Sequence, residues 1–142
     1  MFITKQTDYA VLLMTRLAEL TDSSEPLSLM KFADEEQISF YFLQRIARKL
    51  KHAKLIKGVE GRKGGYFLSK SAAETTLGSI IRALEGSFRI SDCAQESLKH
   101  KPCKREATCR TKKVWLQFKN QTVAYFDKIS LQHVLDNALP DW

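Results

Sequence analysis

Three of the six glycines fall within five residues, Gly61-Arg62-Lys63-Gly64-Gly65. An apolar run, Leu55 to Val59, leads in and Tyr66 to Leu68 leads out, so the segment reads as a β-hairpin with a basic tip. A single hairpin cannot bury its own face, so helices must supply the core. Thr7 is placed to cap a helix to about Leu20, with Ala10, Val11, Met14, Leu17 and Ala18 on one face. Thr21 to Pro26 breaks it. Ser28 then caps a short helix, Leu29 to Glu36. Gln37-Ile38-Ser39 is a tight connection, and Ser39 caps a third helix to about Ala53. In that helix Leu43, Ile46, Ala47 and Leu50 face inward, while Gln44, Arg45, Arg48, Lys49 and Lys51 face outward.

Beyond the hairpin, Thr75 or Thr76 caps a helix from Leu77 to Glu85, which Gly86 ends. A polar segment follows. A long helix is expected from about 106 to 129, where Val114, Phe118, Thr122, Tyr125 and Ile129 form a near-heptad stripe that Trp115 and Phe126 widen. Ser130 caps a short terminal helix, broken by Pro140. The expected fold is mainly α with a small β-hairpin wing, a winged helix-turn-helix followed by a long C-terminal helix. The expected units are 1–86 for the winged part, 87–108 for a cysteine-bearing loop, and 109–142 for the long and terminal helices.

Charge is distributed unevenly. The net is +7, yet residues 45–70 alone hold nine basic residues against Glu60, or 9 − 1 = +8. A second basic stretch, 97–119, holds eight against Glu106. Concentrated positive charge suits a nucleic acid or another anionic surface. Taken alone, it leaves a solvated face with no ligand equally open. Joined to a helix-turn-helix and a wing it becomes specific for duplex DNA, with the third helix in the major groove. Ser39, Tyr41, Phe42, Gln44 and Arg45 would reach base edges, Gln pairing with adenine and Arg with guanine. Arg48 and Lys49 would meet phosphates, which position without reading sequence. Ser28 joins the DNA-facing set, and Arg62 and Lys63 on the wing would approach the minor groove.

Other classes find little support. No apolar run reaches the roughly 18 residues of a membrane span, and Met1 to Asp8 lacks a signal pattern, so a cytoplasmic protein with no membrane partner is expected. His52, His100 and His133 are scattered, and no nucleophile–base set, paired carboxylates or phosphate-cradling glycine loop before a helix suggests an enzyme.

The three cysteines are gathered within 17 residues, with nine residues between Cys93 and Cys103 and five between Cys103 and Cys109. Lys99, Lys101, Lys104, Arg105 and Arg110 surround them and favour thiolate, the metal-binding form. Three thiolates leave one position for another ligand, as in an iron–sulfur cluster or a zinc site with a His or carboxylate. A disulfide-exchange switch and incidental thiols are the alternatives. His100 reads more simply as a solvated loop residue.

Thr7-Asp8-Tyr9-Ala10, Ile38-Ser39, Leu43-Gln44, Gly64-Gly65-Tyr66, Leu77-Gly78 to Glu85, the three-cysteine loop and Ser130-Leu131 together resemble the bacterial repressor family that includes IscR, NsrR and RirA, the Rrf-two family. The resemblance spans nearly the whole chain and lies nearer NsrR and RirA than IscR. It implies a homodimeric winged-helix transcription factor on a near-palindromic double-stranded operator. The long helix, through Val114, Phe118, Thr122, Tyr125 and Ile129, would form the dimer interface. It further implies an iron–sulfur cluster, of two-iron or four-iron type, on Cys93, Cys103 and Cys109, sensing iron, nitric oxide, redox or cluster status. IscR-like members carry a His where this chain has Lys112. NsrR-like members can use an acidic residue from the partner subunit, and Asp8 occupies that position, where it would also complement the helix dipole. The first cysteine interval is longer than is usual in the family, and Glu60 stands where an Arg often precedes the wing glycine. A cluster-free regulator of the same fold, responding to thiol oxidation or a small metabolite, is the alternative reading.

Overall fold

The computed structural model describes residues 3–88, 91 and 103–142. Helices α1 (Lys5–Glu19), α2 (Leu29–Glu36) and α3 (Phe40–His52) precede strands β1 (Ile56–Val59) and β2 (Gly65–Leu68), followed by α4 (Leu77–Glu85), α5 (Lys112–Lys128) and α6 (Leu131–Leu135). This is the expected mainly helical fold with a hairpin wing. No helix among the described residues is long and apolar enough to cross a membrane.

One core joins the elements. Leu13, Met14, Phe32, Leu43, Ile46, Leu50, Ile56, Ile80 and Leu131 are almost wholly removed from solvent. The α3 pattern holds residue for residue, with Leu43, Ile46, Ala47 and Leu50 buried. In α1 the buried face also takes in Thr7 and Leu13. The α2–α3 turn is made by Gln37, which adopts a left-handed φ of 56° and donates from its side-chain amide to Asp34 O at 2.7 Å. The wing pairs Ile56 with Leu68 through Val59 with Gly65, antiparallel. Its base is fixed to the chain ahead of α2 by a reciprocal pair of bonds between Leu27 and Tyr66, both 3.0 Å. Only glycine permits this approach, because a Cβ on Gly65 would lie 2.3 Å from Leu27 O.

Three boundaries differ from the sequence reading. The α1 cap is Thr4, whose hydroxyl accepts from Thr7 N at 3.2 Å. Thr7 instead lies one turn inside, buried, and donates to Glu85 Oε1 at 2.5 Å. Either threonine could cap on local grounds, and the hydroxyls of both also donate to Glu85 of α4. The long helix begins at Lys112 rather than near 106, because 103–108 close into turns (Glu106 N to Cys103 O, 2.9 Å; Thr108 N to Arg105 O, 3.1 Å). The terminal helix stops at Leu135, ahead of Pro140, where Asn137 turns left-handed at φ 51°.

The long helix is locked to the winged unit at its C-terminal end. Leu77 N donates to Ile129 O and Leu131 N to Thr75 O, each at 2.8 Å, and Arg82 grips Asp127 through two bonds of 2.6 and 3.1 Å. Asp127 sits where a side chain on Gly78 would be, its Oδ1 only 1.9 Å from an added Cβ. At the opposite edge of α4, Glu85 accepts from Thr4 and Thr7 and ties α4 to the start of α1.

Those two hydroxyls hold the Glu85 carboxyl below its ordinary value. A depressed folded value means the stabilisation is complete above the usual carboxylate range and disappears as pH falls through the folded value. Thermal unfolding should therefore show Glu85→Gln less stable than wild type at neutral pH, with the difference closing in acid below about pH 4.5. Parallel acid profiles would remove Glu85 from this role.

Candidate functional site

The outward face of α3 carries Tyr41, Gln44, Arg45 and Arg48, all exposed, with Tyr41 at 78%. Ser39 begins the helix and makes no capping bond through its hydroxyl. Phe42 turns away, meeting Tyr9 edge-on at 5.8 Å. Its ring packs the fold rather than standing free for a base. Lys49 is exposed on the same face but engaged within the chain. Its ammonium donates to Gln6 Oε1 at 3.1 Å and Leu84 O at 2.9 Å, tying α3 to the start of α1 and the end of α4. The periodicity that put Lys49 outward gave no sign of these two acceptors. Arg48 is the exposed cation beside it and the freer phosphate candidate of the two. On the wing, Arg62 and Lys63 are exposed, and Lys63 lies 3.7 Å from Glu25. Ser28 caps α2, accepting from Lys31 N at 3.4 Å.

A second site forms where the cysteine-bearing turns meet α5. A hollow of about 660 Å³ is lined by Cys103, Cys109, Arg105, Arg110, Lys112, Trp115 and neighbouring residues. Cys103 and Cys109 are free thiols, each half-buried. The Cys109 thiol is held below its ordinary value, first by the Thr111 hydroxyl 3.3 Å away, then by the backbone amides of Thr111 and Lys112, with Arg105 adding a smaller attraction. Those amides belong to the opening turn of α5, where the helix dipole favours negative charge. Thr111 thus bonds a sulfur instead of capping the helix, a role that sequence spacing alone did not signal. Cys93 and His100 lie outside the described residues, and among those described no group of three metal-ligating side chains comes together. Lys112, standing at the position of a family His, is bound to Glu106 at 2.5 Å. Asp8 is exposed in the first turn of α1 and does not line this hollow within the one chain.

The stripe along α5 divides in two. Val114 and Phe118 are 60% and 50% exposed, with Trp115 beside them. Thr122 and Ile129 are buried within the chain itself. Tyr125 stacks on Trp142 at 4.1 Å and donates its hydroxyl to Pro140 O. The tail contact was missed because nothing in the heptad spacing refers to residues past Pro140.

A helix-turn-helix with an outward basic face, flanked by a cationic wing, defines a DNA-binding protein of the winged-helix class. The family described as Rrf2, iron-dependent transcriptional regulator, matches residues 3–137, and the chain belongs to it. It is 26% identical over 131 residues to the transcriptional repressor NsrR of Streptomyces coelicolor, covering 92% of this chain and 86% of that one. Among solved structures it is similar to CymR, the global cysteine regulator of B. subtilis (TM-score 0.75, 25% identity, 97% and 98% of the two chains). It is likewise similar to T. potens IscR (TM-score 0.74, 28% identity, 96% and 88%). The chain is thus a transcriptional regulator of DNA-binding type and not an enzyme.

If Thr111 and the α5 amides hold the Cys109 sulfur as described, alkylation of the apo protein by iodoacetamide should be slower at neutral pH in Thr111→Val, with its pH profile moved upward. Peptide mapping assigns the rate to Cys109. An unchanged profile would contradict the arrangement.

Proposed function

We propose that this chain works as a homodimeric repressor whose grip on a near-palindromic operator depends on an iron–sulfur cluster held by Cys93, Cys103 and Cys109. Asp8 of the partner subunit is the proposed remaining ligand. The observation that carries this reading is the hollow at the start of α5, where two thiols share a mainly cationic lining and one is already drawn toward thiolate. Such donors fit an anionic thiolate-bound cluster. When bound, the cluster supplies a centre that iron loss, oxidants or nitric oxide can alter.

The chain's own residues do the rest. Cys103 and Cys109 draw the turns at 103–108 onto the first turn of α5, giving that end of the helix a defined position. Val114, Trp115 and Phe118 offer the exposed apolar surface for the second subunit. Through Arg82 and Asp127 the helix carries its position to α4 and the winged unit. Two recognition helices must sit about 34 Å apart to meet successive major grooves, so the angle between subunits controls binding.

A specific observation favours a second reading. Cys109 is polarised by Thr111 and backbone amides with no metal required, and CymR of B. subtilis, a cysteine regulator, shares the fold. In that reading oxidation of the thiols replaces the cluster as the signal.

Anaerobic purification separates the two. The cluster reading expects coloured protein containing iron and labile sulfide, with the visible absorption abolished in Cys103→Ala. Folded, colourless protein without sulfide contradicts it, and selects the thiol reading when duplex affinity still changes on oxidation. For the DNA face, Arg45→Ala should relax sequence preference, a bidentate contact being worth about 1–3 kcal/mol of discrimination. Arg48→Ala should weaken all duplexes alike and lower the salt slope by about one. Anisotropy titrations giving equal losses on every sequence for both variants would defeat the assignment.

A further inference from the structure

The wing tip does not stand free. A hollow of about 740 Å³ lies between it and the chain ahead of α2, with Ser28, Lys31, Arg62 and Lys63 in its wall and Glu25 as the one acid. Leu27, in the lining of this hollow, is bonded to Tyr66 at the base of the wing, which holds the backbones of its two walls together. Lys31, Lys63 and Glu25 are all mainly solvated, and the Glu25 carboxylate reaches Lys63 at 3.7 Å. Lys31 is paired in turn with Glu35 at 3.8 Å, so two of the three cations are held only at the outer limit of an ion pair, and Arg62 stands exposed beside them. Cations held this loosely suit an anion stronger than a carboxylate.

We propose that Glu25 latches the wing through Lys63, and that a DNA backbone phosphate takes the place of the Glu25 carboxylate, held by Lys63, Arg62 and Lys31. This rests on the DNA-binding reading above and adds Glu25 and Lys31 to it. The hollow offers cationic groups and serine hydroxyls but no aromatic ring to stack a base, so the recognised group is the phosphate and not the sequence. Glu25 lowers affinity for every duplex by the same factor, because its carboxylate must leave Lys63 and then remains near a phosphate of like charge.

The test titrates a fluorescein-labelled mixed-sequence duplex across a salt series with the full-length protein. Glu25→Gln should tighten binding about two- to fivefold, in keeping with an exposed ion pair. The same substitution in a Lys63→Gln background should gain clearly less. Lys31→Gln should weaken binding and lower the salt slope by about one. Unchanged affinity in Glu25→Gln, or an equal gain with and without Lys63, overturns the latch while salt-dependent wild-type binding keeps the DNA reading intact. Wild-type protein that binds no duplex overturns both.

Discussion

The contact on which the architecture depends is the seam between α4 and α5. There the chain passes twice across one junction, Leu77 to Ile129 and Leu131 to Thr75, while Arg82 clasps Asp127 above Gly78, where an added side chain would displace the Asp127 carboxylate. The two backbone bonds fix direction and the guanidinium–carboxylate fork fixes rotation. Being partly solvated, the fork adds little net stability on its own, of order 1 kcal/mol or less. Its contribution is geometric. The 17 residues of α5 run about 25 Å from this seam to the cysteine hollow, so the helix is held at one end and decorated with thiols at the other.

That asymmetry gives the proposed regulation its physical form. In that regulation a change where the thiols sit is carried along α5 to the winged unit through the two backbone bonds and the Arg82–Asp127 pair of the seam. The coupling demanded is modest, since a tenfold change in operator affinity needs only about 1.4 kcal/mol of differential binding. At the other side of the winged unit, Lys49 and Glu85 gather the ends of α1, α3 and α4 into one hydrogen-bonded corner. The recognition helix is therefore braced against the segment that carries Asp8, so movement of that segment is felt by the DNA-reading face.

Much of this was legible in the residues. Local chemistry marked the caps at Ser28, Thr76 and Ser130, the span of α2 and α4, and the inward face of α3, because each depends on a hydroxyl or a period within a few residues. Two features that the sequence did not signal involve partners far along the chain, and a third is local. Thr7 resembles a cap, whereas its hydroxyl meets Glu85, brought beside it from 78 residues away. Lys49 lies on the exposed face as its period indicates, but its bonds to Gln6 and Leu84 O could not be read from that period. The start of α5 was read too early because helix propensity runs back through Glu106, whereas Thr111 spends its hydroxyl on Cys109. Of the cysteine loop, spacing and charge mark the thiols as a candidate donor set, whereas the polarisation of Cys109 by Thr111 and the helix start has no signal in the spacing.

The central claim is that the chemical state of the cysteine loop sets how tightly the winged unit holds DNA. It is tested most directly by titrating one labelled operator with a single anaerobic preparation, before and after its metal and sulfide are stripped and the thiols kept reduced. The account expects affinities that differ at least tenfold between the two forms at fixed salt, with the difference erased in Cys103→Ala. Superimposable titrations from a preparation verified to hold iron and sulfide at the outset would contradict it.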